Sequence, residues 1–236
     1  GFLSELKAAD APPVYRVPVD PSISEYYALT QDLGESDARQ IFEAQCVGRA
    51  WCMRASEYLG NGGGKARVDA LQWKDVYFRK TDGEFLQGEG VSSTEKVTLS
   101  ISSNKNAYGR CSRTKEVVKE DPLDAGKVLA GMYLRILKRT GAKPSPGSFV
   151  FELESRPGKV LSRDAVSASI QDILERFGVP RKMAGSHSLR RGGATIMRAA
   201  GVPDEDIKRW GRWTSDAYKL YVHVVMDSMD GWGAKI

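Results

Sequence analysis

The 236-residue sequence has little of what secreted, disulfide-bonded or metal-dependent proteins usually need. Its three cysteines (Cys46, Cys52 and Cys111) have no metal-like spacing, and an odd number argues against a disulfide framework. We therefore expect reduced, packed thiols in an intracellular protein. Its two histidines, His187 and His223, are far apart in the sequence and have no acidic motif beside them. For this reason we expect no metal and no other cofactor.

Long apolar runs are also missing from the sequence. None approaches the roughly 18 to 20 residues that are needed to span a bilayer. The first residues lack a basic stretch followed by an apolar segment, so no secretion signal is predicted. The hydrophobic fraction of 41% and the charged fraction of 28% are ordinary for a globular protein. The length is enough for one large domain or two modest ones.

Acidic residues are fewer than basic ones, which gives a net charge of +5 and a pI near 9.0. This excess weakly favours a polyanionic partner. The basic residues recur in two stretches, 105–119 and 181–212. Two solvated faces would produce the same pattern, so composition alone leaves nucleic-acid binding open.

Helices are predicted where apolar residues recur every three or four positions between capping and stopping residues. Residues 1–22 read as an extended arm or linker, and residues 23–236 as one domain. The first clear helix begins with Ser36 as its N-cap and runs to about Leu59, before Gly60–Gly64 stops it. Further helices are expected to open at Pro122 and end near Gly141, to run from a Ser162 cap to Phe177, and to cover residues 187–200, 203–210 and 215–221.

Strands are predicted in the middle of the chain. Leu71–Phe78 precedes a Thr81-Asp82-Gly83 turn, and Val97–Ile101 alternates between apolar and polar residues. A strand over Arg113–Val118 is expected to pair with Val97–Ile101 through the connection at 104–110, while residues 84–95 are not assigned. The predicted fold class is mixed α+β, a mainly helical domain with a small antiparallel sheet.

The strongest chemical signal is the segment His187–Gly193. On a helix, His187 and Arg190 share one face, where a guanidinium fork can bind phosphate oxygens and an imidazole can exchange a proton. Gly192 and Gly193 cost a helix roughly 1 kcal/mol each relative to alanine, which indicates close approach by another backbone. A surface histidine and arginine would have the same spacing, so the segment does not decide the function by itself.

The order of the downstream motifs carries more information. Gly211-Arg212-Trp213 is followed by Tyr221 in Tyr221–Val224. With His187-x-x-Arg190, this order resembles the tyrosine recombinase (phage-type integrase) family. The fingerprint of that family is a His-x-x-Arg helix, a Gly-x-His/Trp turn and a Tyr-x-His segment.

Three upstream segments strengthen the resemblance, which covers about residues 38 to 225. Met53–Leu59 is similar to the family's first-arginine segment, and Leu71–Val76 is similar to the Trp-x-Asp-like start of a strand. Ser102–Asn106 is similar to the lysine-bearing tip of a β-hairpin.

The resemblance implies the tyrosine-recombinase catalytic fold and metal-independent cleavage of DNA. Arg54 and Arg190 would hold the non-bridging oxygens of a DNA phosphate. The remaining implied roles are hydrogen bonding by Trp213, hydrogen bonding and base catalysis by His187, nucleophilic attack by Tyr221 to give a 3′-phosphotyrosine link, and protonation of the departing 5′-oxygen by Lys105. Glu57 would orient an arginine or His187, and Arg191 and Arg212 are expected to contact the DNA backbone.

Several assignments stay open at this point. Trp213 stands where most relatives have histidine, and its step to Tyr221 is one residue shorter than usual, which leaves Tyr218 as a rival nucleophile. Trp213 could also be plain core, and Arg54 could be a structural partner of Glu57. Lys96, Lys115 and Lys119 are rivals of Lys105. The loops 60–68 and 82–95 look longer than the minimal family pattern.

The resemblance implies double-stranded DNA as the partner, self-assembly on DNA in a synaptic complex, and an intracellular location on DNA, in the nucleus or the nucleoid. Relatives also have a separate helical N-terminal domain, for which we see no counterpart in the arm 1–22. Three functions fit: a recombinase or integrase of a mobile element, for which the Gly-Arg-Trp form is more typical of eukaryotic elements; a topoisomerase-like or hairpin-forming strand transferase; and a DNA-binding module with a decayed active site.

Overall fold

The computed structural model describes residues 16–19, 21–102, 109–215 and 218–219. Its helices are α1 (Pro21–Thr30), α2 (Ser36–Ala50), α3 (Ala125–Thr140), α4 (Arg163–Arg176), α5 (His187–Ala199) and α6 (Asp204–Gly211). Its strands are β1 (Val76–Arg79), β2 (Phe85–Leu86), β3 (Lys96–Ser102) and β4 (Arg110–Glu116). The mixed α+β class predicted from the sequence is confirmed.

The strands form one antiparallel sheet in the order β2-β1-β3-β4. Strand β3 has a buried centre, because Val97, Leu99 and Ile101 all face packed side chains. Its register with β4 runs from Lys96 opposite Glu116 at one end to Ser102 opposite Arg110 at the other. The predicted pairing of these two strands is confirmed, and the connection between them lies at the Ser102–Arg110 end.

Two helix boundaries follow the local signals in the sequence. Ser162 caps α4 by accepting a hydrogen bond from the backbone N–H of Ala165 at 3.1 Å. Gly141 ends α3 in the left-handed conformation, with φ of 70°. Both boundaries were predicted correctly.

Other boundaries differ from the prediction. The first predicted helix ends at Ala50 rather than near Leu59, and Ser36 is its first helical residue, because Glu35 occupies the N-cap position. Helix α3 is opened by Asp124 and not by Pro122: the buried Asp124 carboxylate accepts from the backbone N–H groups of Gly126 and Lys127 at 2.8 and 3.0 Å. An interaction with Lys115 further anchors this carboxylate.

The sheet region also departs from the expectation. Only Val76 to Phe78 of the segment 71–78 lie in strand β1, since Trp73–Asp75 form a 3₁₀ turn. The unassigned stretch 84–95 contains β2 and a 3₁₀ helix over Gly88–Ser93. The helix predicted over 215–221 lies largely outside the described residues.

Residues 16–19 pass across the N-terminal turns of α5. The backbone N–H of Val17 donates to Met183 O at 2.7 Å, and that of Val19 donates to Ser188 O at 3.0 Å. Val19 is fully buried, and a β-carbon on Gly192 would overlap its carbonyl oxygen. Gly193 meets the Arg49 carbonyl in the same way. The close backbone approach predicted from Gly192-Gly193 is therefore confirmed on both glycines.

Most buried apolar side chains form one core between the helices and the sheet. A second, smaller cluster lies between the end of α2, α5 and α6, and contains Cys52, Ala194, Ile207, Trp213 and Tyr218. Within the described ranges, no helix is long and apolar enough to cross a membrane. The small cluster matters most for function, because the arginines of the predicted site lie beside it.

Candidate active site

The C-terminal ends of two helices form the base of the site. Helix α2 ends at Ala50, and the chain then turns sharply because Cys52 adopts a left-handed conformation with φ of 46°. Helix α6 ends at Gly211, and Arg212 is also left-handed, with φ of 60°. Non-glycine residues adopt this conformation uncommonly, so two such residues in one site indicate a backbone held by its surroundings.

Arg190 extends from α5 between these two helix ends. Its Nη1 donates to the Cys52 carbonyl and its Nη2 donates to the Gly211 carbonyl. Its guanidinium carbon lies 4.3 Å from the centroid of the Trp213 ring, at cation–π distance. Burial, followed by the charges of Arg212 and Arg54, lowers the pKa of Arg190 to about 10, so it stays charged at neutral pH.

The geometry explains why Gly211 and Trp213 occur together in the Gly211-Arg212-Trp213 segment. A β-carbon on Gly211 would overlap the indole of Trp213, so glycine is needed for Trp213 to fold back over the helix end. Trp213 is largely buried, and its ring also contacts Tyr218 at 5.9 Å between centroids. Trp213 is thus both a core residue and the stacking partner of Arg190.

Arg54 reaches the site from the short segment after α2. Its Nη1 donates to Glu57 Oε1 at 3.0 Å, and its backbone N–H donates to Glu57 Oε2 at 2.7 Å. The Arg54 side chain is 22% exposed, whereas that of Glu57 is only 5% exposed. The pairing of Arg54 with Glu57 therefore exists, and it leaves part of the guanidinium at the surface.

His187 lies one turn before Arg190 on α5, as the spacing predicts. It is exposed, yet the protein around its imidazole disfavours the charged form. Desolvation, and then the positive charges of Arg190, Arg191, Arg16 and Arg54, lower the pKa of His187 to about 4. A neutral imidazole at pH 7 can accept a proton.

Arg191 and Arg212 do not have the exposure that a DNA-backbone contact would need, since they are 2% and 3% exposed. Arg212 points into the protein and donates to Glu57 Oε2 at 2.7 Å. Its other acceptors are the carbonyls of Trp51, Cys52 and Trp210. The described structure thus argues against the expected DNA contact and gives Arg212 an internal role.

Tyr221 and Lys105 lie outside the described residues, so their assignments stay predictions. Two of the rival lysines lie at the end of the β3–β4 pair that is far from Ser102 and Arg110. Lys96 lies 3.6 Å from Glu116, and Lys115 pairs with Asp124. The rival nucleophile Tyr218 is 2% exposed and packed on Trp213. Its burial favours a packing role.

Strand β4 is tied to the same region. Trp51 Nε1 donates to the Arg113 carbonyl at 3.2 Å, and Arg113 Nη2 donates to the Arg209 carbonyl at 2.6 Å. These bonds fix the middle of strand β4 against the ends of α2 and α6.

The site contains features that sequence reasoning missed. Arg16 lies near the start of α5, where its Nη1 donates to the Ala184 carbonyl and its charge acts on His187. The turn at Cys52 supplies an acceptor that Arg190 and Arg212 share. No local pattern marks either residue. Among Arg54, Arg190, Arg212 and Glu57, three positive charges face one negative charge, and such an excess favours an anion.

The described architecture is the fold of the tyrosine recombinase catalytic domain. Two matching structures show the XerH site-specific recombinase bound to difH substrate. The pre-cleavage complex has a TM-score of 0.59 and 13% identity, and the post-cleavage complex on a palindromic substrate has 0.58 and 12%. A third shows the Tn1549 transposon integrase in complex with circular intermediate DNA, with a TM-score of 0.51 and 17% identity.

The matches cover 92%, 93% and 90% of this chain, in the same order. They cover only 53% of each XerH chain and 62% of the Tn1549 integrase chain, so the present chain spans between half and two thirds of their length. No family model matches the chain, and no curated protein matches it by sequence. The likeness therefore rests on fold.

Proposed function

We propose that this chain is the catalytic domain of a site-specific DNA recombinase or integrase that serves a mobile element. It cleaves and rejoins double-stranded DNA through a 3′-phosphotyrosine intermediate. The observation that carries the proposal is the meeting of Arg54, Arg190, Trp213 and His187, from three separate parts of the sequence, around a surplus of positive charge. Structures of similar fold were determined with DNA, which supports the choice of substrate.

The chemistry follows from the charge that a phosphodiester develops. Attack on phosphorus gathers negative charge on the non-bridging oxygens, and fixed guanidinium groups stabilise that charge where it develops. Arg54 and Arg190 act on these oxygens. Both belong to a network of hydrogen bonds and ion pairs that holds them before substrate arrives.

In the proposed step the Tyr221 hydroxyl oxygen attacks the phosphorus, and the bond from phosphorus to the 5′-oxygen breaks. His187 takes the phenolic proton, which its neutral state allows. Lys105 gives a proton to the departing 5′-oxygen. Attack by a 5′-hydroxyl on the phosphotyrosine reverses these transfers and reseals a strand. The roles of Tyr221 and Lys105 come from the family resemblance.

Covalent trapping tests the proposal. The chain is incubated with duplexes of randomised sequence that carry a nick, so that cleavage beside the nick releases a short 5′-hydroxyl fragment and prevents resealing. Adducts that survive denaturing detergent are collected and sequenced. We expect adducts with the original chain and none with Tyr221→Phe. Arg54→Gln should lose most of the signal, whereas Arg156→Gln, at an exposed ion pair with Asp37, should retain it.

Absence of any adduct from the folded original chain would contradict the proposal. Once a cognate duplex is recovered, strand exchange between two labelled copies tests recombination and self-assembly on DNA. Relaxation of supercoiled plasmid without exchange would instead indicate the topoisomerase-like function.

A further inference from the structure

Arg212 occupies a position in which a DNA contact is not available to it. Its side chain is 1% exposed, and its guanidinium forms an ion pair with Glu57 that is buried on both sides. A buried arginine is costly to desolvate unless its donors are satisfied by well-placed acceptors. Here three backbone carbonyls and one carboxylate accept from Nη1 and Nη2 of Arg212.

Arg212 is linked to Arg54 by two separate routes. Glu57 Oε2 accepts from Arg212 Nη2 at 2.7 Å, while Oε1 of the same carboxylate accepts from Arg54 Nη1 at 3.0 Å. Arg54 Nη2 also donates to the Arg212 main-chain carbonyl at 3.5 Å. The left-handed backbone of Arg212 thus serves Arg54 through its carbonyl, and its side chain serves Arg54 through Glu57.

Arg212 is linked to Arg190 as well. The Cys52 carbonyl accepts from both Arg190 Nη1 and Arg212 Nη2, and the carbonyl before Arg212, that of Gly211, accepts from Arg190 Nη2. One residue therefore contributes to the placement of both arginines that would hold the phosphate.

We propose that Arg212 is a positioning residue for the phosphate clamp: through Glu57 it orients Arg54, and through the shared Cys52 carbonyl it orients Arg190. This inference rests on the proposed function, because it assumes that the two arginines act on a phosphodiester. In this role Arg212 acts inside the protein, through Glu57 and the Cys52 carbonyl, and does not contact DNA.

The test compares two substrates that differ only in the charge of the scissile group. One is a nicked duplex recovered by covalent trapping, and the other carries a neutral methylphosphonate at the scissile position. An arginine that stabilises charge matters for the diester and much less for the methylphosphonate. A general loss of structure slows both reactions equally.

We expect Arg212→Gln to slow single-turnover cleavage of the diester by about 100-fold, the order of loss that a misplacement of about 1 Å can cause. Cleavage of the methylphosphonate should fall far less, as with Arg54→Gln. The double variant Arg54→Gln, Arg212→Gln should lose less than the product of the two single losses, because the effect that Arg212 exerts through Arg54 is already gone. The effect that it exerts through Arg190 remains. Arg212→Lys keeps a donor for Glu57 and should recover part of the diester rate.

Arg135→Gln is the matched control for lost stability, because Arg135 of α3 forms a half-buried ion-pair network with Glu43 of α2 and with Glu154. It should lower the melting temperature without changing the ratio of the two rates. If Arg212→Gln is too unstable to assay, the comparison is made with Arg212→Lys, for which an unchanged ratio of rates would overturn the inference.

Equal losses on both substrates, or multiplicative losses in the double variant, would overturn the positioning role while the proposed function stands. A folded original chain that forms no adduct would overturn the proposed function itself. The two failures are therefore distinguishable.

Discussion

At the residue scale, the site depends on a few glycines where a neighbouring group leaves no room for a β-carbon. Gly192 and Gly193 let residues 16–19 and the end of α2 approach helix α5, and Gly211 lets Trp213 fold over Arg190. The glycines carry no chemistry, but the positions of His187 and Arg190 depend on the contacts that they permit.

Alanine at Gly192 should destabilise the protein by about 1 to 3 kcal/mol, because its methyl group would meet the backbone of Val19 and not a flexible side chain. Gly131 offers the opposite case: it lies on the exposed side of α3, with nothing within 4 Å of an added β-carbon. Gly131→Ala should stabilise the chain by roughly 0.5 to 1 kcal/mol. Urea unfolding of the two variants measures both, and a stable Gly192→Ala would contradict the close approach.

His187 gives a prediction for pH. Its folded-state pKa of about 4 lies below the ordinary value of 6.5, so it makes no difference to stability above pH 6.5, where both states are neutral. As the pH falls from 6.5 towards 4, His187 becomes protonated in the unfolded chain but stays neutral in the folded chain. The free energy of unfolding therefore decreases. His187→Gln removes this contribution.

The urea midpoint of the original chain should therefore fall more between pH 7.5 and pH 4.5 than that of His187→Gln. Equal decreases in the two proteins would mean that the imidazole titrates normally in the folded state.

At the element scale, caps and helix ends decide where each side chain points. Asp124 is the clearest case, since its buried carboxylate caps α3 and also pairs with Lys115 of β4. Asp124→Ala should cost about 1 to 2 kcal/mol for the lost cap alone. The exposed Asp172 on α4 is the control, and its replacement by alanine should change stability by less than about 0.5 kcal/mol. Thermal unfolding compares them, and equal effects would argue against the cap.

Local chemistry marks some element boundaries in the sequence and leaves others unmarked. Ser162 and Gly141 mark helix ends by local chemistry, so these boundaries were predicted correctly. The end of α2 at Ala50 has no such signal, because the turn at Cys52 is stabilised by Arg190 and Arg212 from distant parts of the chain. The residue types of the site were visible in the motifs. The inward direction of Arg212 was not, because it depends on where Glu57 lies in the folded protein.

At the scale of the whole molecule, a net charge of +5 and a positively charged site predict DNA binding that weakens steeply with salt. For a duplex of random sequence, Arg54→Gln should reduce the slope of log affinity against log salt concentration by about 1, as expected for one lost phosphate contact. Arg212→Gln should leave the slope unchanged, because the Arg212 side chain is buried and a displaced Arg54 keeps its positive charge in the site. If Arg212→Gln reduced the slope even in a chain that already carries Arg54→Gln, the DNA contact that the sequence suggested would be supported instead.

The proposed function requires that Tyr221 attacks the DNA while Tyr218 packs on Trp213. Trypsin separates the two candidates, because it cuts after Arg212 and Lys219 and leaves Tyr218 in peptide 213–219 and Tyr221 in peptide 220–235. Mass spectrometry of the trapped adduct should find the nucleotide on peptide 220–235, and Tyr218→Phe should still form it. A nucleotide on peptide 213–219, or an adduct formed by Tyr221→Phe, would contradict the account.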